Sequence, residues 1–207
     1  MTTTRAELED RARGYLAEAV DTIRAVQTEA MDDVLDAAAL LIEAIGTGGK
    51  LLICGNGGSA ADAQHLATEF VSTLTLDHPR PSIPAIALTT DTSLLTAIAN
   101  DFGVQRIFER QVASLAAPGD VLIAISTSGR SANVVRAAGR ARDMGVKVVA
   151  LTGASGGPLA PIADVAIRVP SAVTAHVQEA HLAIEQLLAL LVERSIYPEP
   201  VPADANG

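Results

Sequence analysis

The sequence has no tryptophan, two tyrosines, three phenylalanines and a single cysteine, Cys54. One cysteine excludes an intrachain disulfide and suits a reducing compartment. With so few rings, any core must be aliphatic, and hydrophobic residues still make up 49% of the chain. Alanine-rich helices packed on an aliphatic sheet would give that balance. Basic residues are also scarce: 15 Lys and Arg against 24 Asp and Glu leave a net charge of −9. Without a basic stripe the chain lacks the electrostatic footprint of a nucleic-acid binder. No secretory n-region and h-region open it, and no uninterrupted apolar run reaches the ~18 residues of a membrane span. These absences predict a cytoplasmic protein with no membrane and no direct nucleic-acid partner. The 207 residues suffice for one domain with a sizeable core and an appendage.

What is present is a periodic pattern. Leu8, Ala12, Tyr15, Ala19, Ile23 and Val26 recur at spacings of three and four, one apolar stripe on a charged helix. A second helical run over 30–45 stops at Gly46-Thr47-Gly48-Gly49. Residues 1–46 read as a helical arm for oligomerisation, because the arm precedes an already complete α/β pattern and would otherwise expose apolar surface. From residue 50 strands and helices alternate. Short apolar runs predict strands at 50–54, 84–89, 121–126, 146–152 and 165–169. Helices are expected over 59–74, 92–99, 104–116, 131–144, a short piece near 157–163, and 173–194. The fold class is α/β, a three-layer αβα sandwich with a five-stranded parallel sheet over 47–196. Residues 197–207, proline-rich with a polar end, are expected to form a flexible tail.

In an open parallel sheet, ligands bind beyond the carboxyl ends of the strands. The first strand runs into Gly55-Asn56-Gly57-Gly58-Ser59, a glycine turn with Ser59 as a candidate helix cap. Free N–H groups and the positive helix end make such a turn an anion site, and it fits an ordinary βα turn equally well. Its spacing matches neither a dinucleotide nor a P-loop fingerprint. The second strand runs into Thr89-Thr90-Asp91-Thr92-Ser93, the third into Ser126-Thr127-Ser128-Gly129-Arg130-Ser131, the fourth into Thr152-Gly153-Ala154-Ser155. One hydroxyl-rich loop is common as a helix cap, here Ser131; four together point to a phosphorylated small molecule.

His65 and Glu69 stand at i and i+4 on the helix after the first turn, so they share a face. Gln178, His181 and Gln186 fall within one broad face of the last helix at roughly 100° per residue. A carboxylate beside a sugar phosphate suits proton transfer at a carbon next to a carbonyl, as in aldose–ketose isomerisation through an enediol. No nucleophile elbow suggests acyl transfer.

Cys54-Gly55-Asn56-Gly57-Gly58-Ser59 followed by Asp62-Ala63-Gln64-His65 resembles the opening of SIS (sugar isomerase) domain proteins. Ala99-Asn100-Asp101-Phe102-Gly103, the run from Gly119 to Gly129, Ser131-Ala132-Asn133-Val134, Leu151-Thr152-Gly153 and Val177-Gln178-Glu179-Ala180-His181 carry the resemblance along residues 10–194. Order and spacing are similar to the phosphoheptose isomerase branch. The resemblance implies a homotetramer with active sites between subunits, and conversion of sedoheptulose 7-phosphate to D-glycero-D-manno-heptose 7-phosphate. It implies phosphate binding by Ser59, Ser126, Thr127, Ser128 and Ser131, and substrate contact by Asn56 and Asp91, with Gly57, Gly58 and Gln178 lining the same site. It makes Glu69 the catalytic base; in an isomerase reading Glu69 would move the proton with His65, His181 or a bound metal assisting. It maps His65, Glu69 and Gln178 onto zinc ligands seen in some members, with position 186 completing the set.

Two positions depart from that pattern. The isomerases carry a histidine eight residues after the glutamine of the Gln-Glu motif; here it is Gln186, which cannot exchange a proton near neutral pH. An aspartate three residues before Gln178 is replaced by Ala175. A sister branch also lacks that histidine: a sugar-phosphate-binding scaffold, like a replication-initiator-associating protein, that acts through protein contacts. Leu88-Thr89-Thr90-Asp91 is similar to that branch, whereas Glu69 and the complete 126–128 loop are similar to the isomerases.

Overall fold

Thr4 starts the first helix by a reciprocal cap. Its hydroxyl accepts the Glu7 N–H at 3.3 Å and the Glu7 carboxylate accepts the Thr4 N–H at 2.8 Å. The structure, a computed structural model, describes residues 3–201. Helix α1 (Arg5–Glu29) breaks at Ala30 into α2 (Met31–Gly46). Then come β1 (Leu51–Cys54), α3 (Gly58–Val71), β2 (Ala85–Ala87) and α4 (Thr92–Phe102). A single 3₁₀ turn leads into α5 (Ile107–Leu115), followed by β3 (Val121–Ile125), α6 (Ala132–Asp143) and β4 (Lys147–Gly153). β5 (Val165–Val169) and the long α7 (Thr174–Ile196) complete the order. The expected short helix near 157–163 is a 3₁₀ turn at Ala160–Ile162.

The five strands are all parallel in the order β2-β1-β3-β4-β5. Because strand side chains alternate, the sheet feeds two cores. Leu51, Ile53, Val121, Ile123, Ile125, Val149 and Leu151 face α2, α3 and α7. Leu52, Cys54, Leu122, Ala124, Val148 and Ala150 face α5 and α6, with Leu95 of α4 at the margin. The result is the three-layer αβα sandwich.

The two N-terminal helices differ. Val34, Ala37, Ala38 and Leu41 of α2 are buried in the same core as β3, β5 and α7. On α1 only Thr22 and Val26 are buried, while Leu8, Leu16, Val20 and Ile23 stay exposed, Leu16 at 63%. Helix α1 is tethered to α7 by His176, whose ring nitrogens meet Glu179 at 2.9 Å and Glu18 at 3.3 Å. Helix α2 is therefore part of the sandwich, whereas α1 lies on its outside against α7. At the other end, His78 Nε2 donates to the Tyr197 carbonyl at 2.7 Å and the Val201 N–H donates to the Pro79 carbonyl at 2.8 Å. The first residues of the expected flexible tail are thus held, and residues 202–207 lie outside the described residues. Among the described residues no helix is long and apolar enough to cross a membrane.

Candidate active site

The strand order reverses between β1 and β3, so the crevice beyond their carboxyl ends is where an open α/β sheet binds its ligand. Two loops flank that crevice. After β1, the chain turns at Gly57, with φ +58° and ψ −122°, a conformation that strains any residue bearing a Cβ. The glycine pair lets α3 begin at Gly58, so Ser59 lies inside the first turn, buried, and does not cap it as the sequence suggested. The amides of Ala60 and Ala61 turn back to the Gly57 carbonyl instead. A Cβ at Gly58 would meet the Gln178 amide of α7, so a larger residue there would push that side chain aside.

After β3, Ser131 occupies the cap position of α6 without capping it. Its hydroxyl meets the Ser126 hydroxyl at 3.0 Å, and Ser128 Oγ accepts the Arg130 N–H at 3.2 Å. The positive end of α6 therefore opens onto a bed of serine hydroxyls, an arrangement suited to an anion. Asn133 joins the two loops. Its amide and that of Asn56 donate to each other's oxygen, both at 2.8 Å. Sequence reasoning singles out Asn56 and passes over Asn133; an asparagine in the first turn after a serine loop is the available signal. Asp91 caps α4, accepting the Leu94 N–H at 2.9 Å. Cys54, beside the glycine turn, is buried and its thiol is pushed up to about 12 by that burial, so it is no nucleophile.

The candidate acid–base residues lie farther along α3, against α7. His65 Nε2 stands 2.9 Å from Glu69 Oε1. Gln186 reaches across from α7: its amide donates to Glu69 Oε1 at 3.3 Å and also contacts the His65 ring. Glu69 is thus gripped from its own helix and from α7. Gln178 lies elsewhere on α7, against Gly58.

His181 is not in this cluster. It is fully buried, its Nε2 donates to the Thr152 carbonyl at 3.2 Å, and burial pushes it down to about 4. A neutral, enclosed imidazole has no proton to give a substrate at neutral pH, so the sequence placed it on the right helix at the wrong depth. One turn on, Glu185 is also fully buried, and neither carboxylate oxygen has a partner. Burial, reinforced by nearby Asp62, pushes Glu185 up to about 8.

Of the four expected zinc ligands, His65, Glu69 and Gln186 stand together. Gln178 and Gln186 are eight residues apart, about 12 Å along the helix. His65 and Glu69 are the only strong donors of the four, and among the described residues no three His, Cys, Asp or Glu side chains are grouped to hold a metal. Within one chain, His65 and Glu69 alone would supply strong donors to a zinc ion.

Comparison with known proteins bears on this geometry. The SIS domain model matches residues 14–153. The phosphoheptose isomerase of a Roseiflexus species is 50% identical over 176 residues, 85% of this chain and 88% of that protein. That of Rhodospirillum rubrum is 46% identical over 189 residues, 91% of this chain and 99% of that protein. Among solved structures, phosphoheptose isomerase from Neisseria gonorrhoeae superimposes with a TM-score of 0.84 at 40% identity, covering 89% of this chain and 98% of that one. The structure from Francisella tularensis gives 0.87 at 35% identity, covering 94% and 100%.

Proposed function

This chain belongs to the SIS domain family, among its phosphoheptose isomerases, and from that premise we propose how it converts sedoheptulose 7-phosphate to D-glycero-D-manno-heptose 7-phosphate. The observation that carries the reading is Glu69, held at 2.9 Å from His65 and 3.3 Å from Gln186. Glu69 removes the C1 proton of the ketose, leaving an enediol, and returns a proton to C2. The O1 and O2 protons must also exchange. Gln186 cannot do this, because an amide does not titrate near neutral pH. His65 takes that part: it adjoins the base and is half exposed, as a donor to substrate must be. Gln186 keeps the orienting part of the role and gives up the proton-transfer part.

The phosphate binds between the two loops, on Ser59, Ser126, Thr127, Ser128 and Ser131, with Asn56 contacting the sugar. The opening of α6, left uncapped by Ser131, supports this placing. Asp91 contacts substrate through the oxygen not used in capping α4. Ser59 and Glu69 are ten residues apart on α3, about 15 Å. That span favours sites in which the loops of one subunit meet Glu69 of another. We read the protein accordingly as a cytoplasmic homotetramer, with the exposed apolar residues of α1 in its bundle. A scaffold acting through protein contacts is not favoured, since relatives 44–52% identical over most of the chain are phosphoheptose isomerases. Incubation with sedoheptulose 7-phosphate, followed by detection of the aldose, tests the activity: no aldose from folded protein refutes it.

A further inference from the structure

We propose that Arg80 is a positioning residue for Glu69, clamping the last turn of α3 and fixing it to α7 through Glu193. The inference rests on Glu69 being the base. Arg80 lies between α3 and β2, and both it and Glu193 are buried, with 1% of each side chain exposed. Arg80 Nη2 donates to the Glu69 carbonyl at 2.6 Å. Nη1 donates to the carbonyls of Phe70 at 2.8 Å, Pro81 at 2.9 Å and Ser72 at 3.3 Å. Nε donates to Glu193 Oε2 at 2.8 Å. A helix leaves its last four carbonyls without partners. Helix α3 ends at Val71, so Glu69 and Phe70 contribute two of them. A planar five-donor fork opposes the negative helix end and meets several separate acceptors at once; a lysine shares the charge but has three donors on a single nitrogen and cannot span them.

The other half of the device is on α7. Glu193 Oε2 also accepts the Leu74 N–H at 3.3 Å, so one carboxylate holds the arginine and the chain leaving α3. Gln186 and Glu193 are seven residues apart, nearly two full turns, and therefore share a face of α7. Along that face, Gln186 holds the Glu69 carboxylate and Glu193, through Arg80, holds its backbone. A proton-transfer base works only when held to a fraction of an ångström, and this double grip supplies that. Stability alone does not explain it: buried ion pairs are commonly matched by apolar residues, and Glu193 Oε1 is buried without a hydrogen-bond partner.

The test places Arg80→Lys and Glu193→Gln in the wild-type and Glu69→Gln backgrounds. In the wild type, Arg80→Lys should lower kcat about tenfold or more with KM changed less than about twofold; in Glu69→Gln it should cost less than about twofold, since the positioned group is gone. An equal loss in both backgrounds, or unchanged kcat in folded Arg80→Lys, overturns the proposal. If Arg80→Lys does not fold, Glu193→Gln is judged by the same split. Amide hydrogen exchange reads the clamp independently of activity. Residues 66–74 should exchange faster in Arg80→Lys while 59–64 keep their protection; unchanged exchange overturns the clamp. Should the wild type fail to isomerise, the isomerase reading falls alone and the exchange result decides.

Discussion

Glu69 has two side-chain neighbours of different character, and they make separable contributions. His65 can move a proton and Gln186 can only orient. His65→Asn should therefore lower kcat by about 100-fold, within the usual worth of a general acid, with KM little changed. Steady-state kinetics check this; a change confined to KM would move His65 out of the proton-transfer role. Ser128 lies in the proposed phosphate loop. Ser128→Ala removes one hydroxyl from the anion bed and should weaken substrate binding about tenfold, the worth of one hydrogen bond to a charged group. Calorimetric titration with sedoheptulose 7-phosphate reads it, and unchanged affinity would displace the phosphate from this loop. Residue identities were legible here because hydroxyls and glycines cluster after strands. Depth was not. A helical wheel gives His181 an angle, and only packing shows that it is sealed beneath β4.

Where α3 meets α7, the helices carry charge chemistry that their sequences conceal. Glu185 is buried without partners and pushed up to about 8 from 4.5. Its raised value means the native state holds a proton that the unfolded chain has released between about pH 4.5 and 8. Stability from this group is complete below that window and is lost as pH rises through it, on the order of a few kcal/mol. Glu185→Gln removes the titration, so it should raise the melting temperature by about 5 °C or more at pH 8.5 and hardly at pH 5. Melting curves at the two values check it; an equal difference at both would contradict it. His181 acts in the opposite sense, its lowered value withdrawing stability as pH falls from 6.5 towards about 4. Strand positions were readable because runs such as Val121–Ile125 are buried on both faces and hence apolar throughout. The start of α3 was not, because Gly57 and Gly58 let the backbone turn one residue before Ser59. Arg80 sits in irregular chain, where no period marks a buried residue.

On the scale of the molecule, the amphipathic stripes of α1 and α2 announced buried faces without saying what buries them. Helix α2 covers its stripe with the chain's own sheet, whereas α1 keeps most of its stripe exposed. If α1 bundles with other subunits and sites are completed between them, two defective chains should rescue each other. Coexpressed Glu69→Gln and Ser126→Ala/Ser128→Ala chains should regain about a quarter of wild-type activity, from those sites that pair two intact halves. No recovery in verified mixed oligomers would place each site within one chain. In the proposed reaction Glu69 carries a sugar-phosphate isomerisation without a histidine at 186. The most direct measurement follows conversion of sedoheptulose 7-phosphate by wild type and Glu69→Gln, with substrate affinity determined for both. The expected result is aldose formed by wild type and slowed at least about 100-fold in Glu69→Gln at similar affinity. Wild type that binds without converting, or Glu69→Gln that converts as fast, would contradict it.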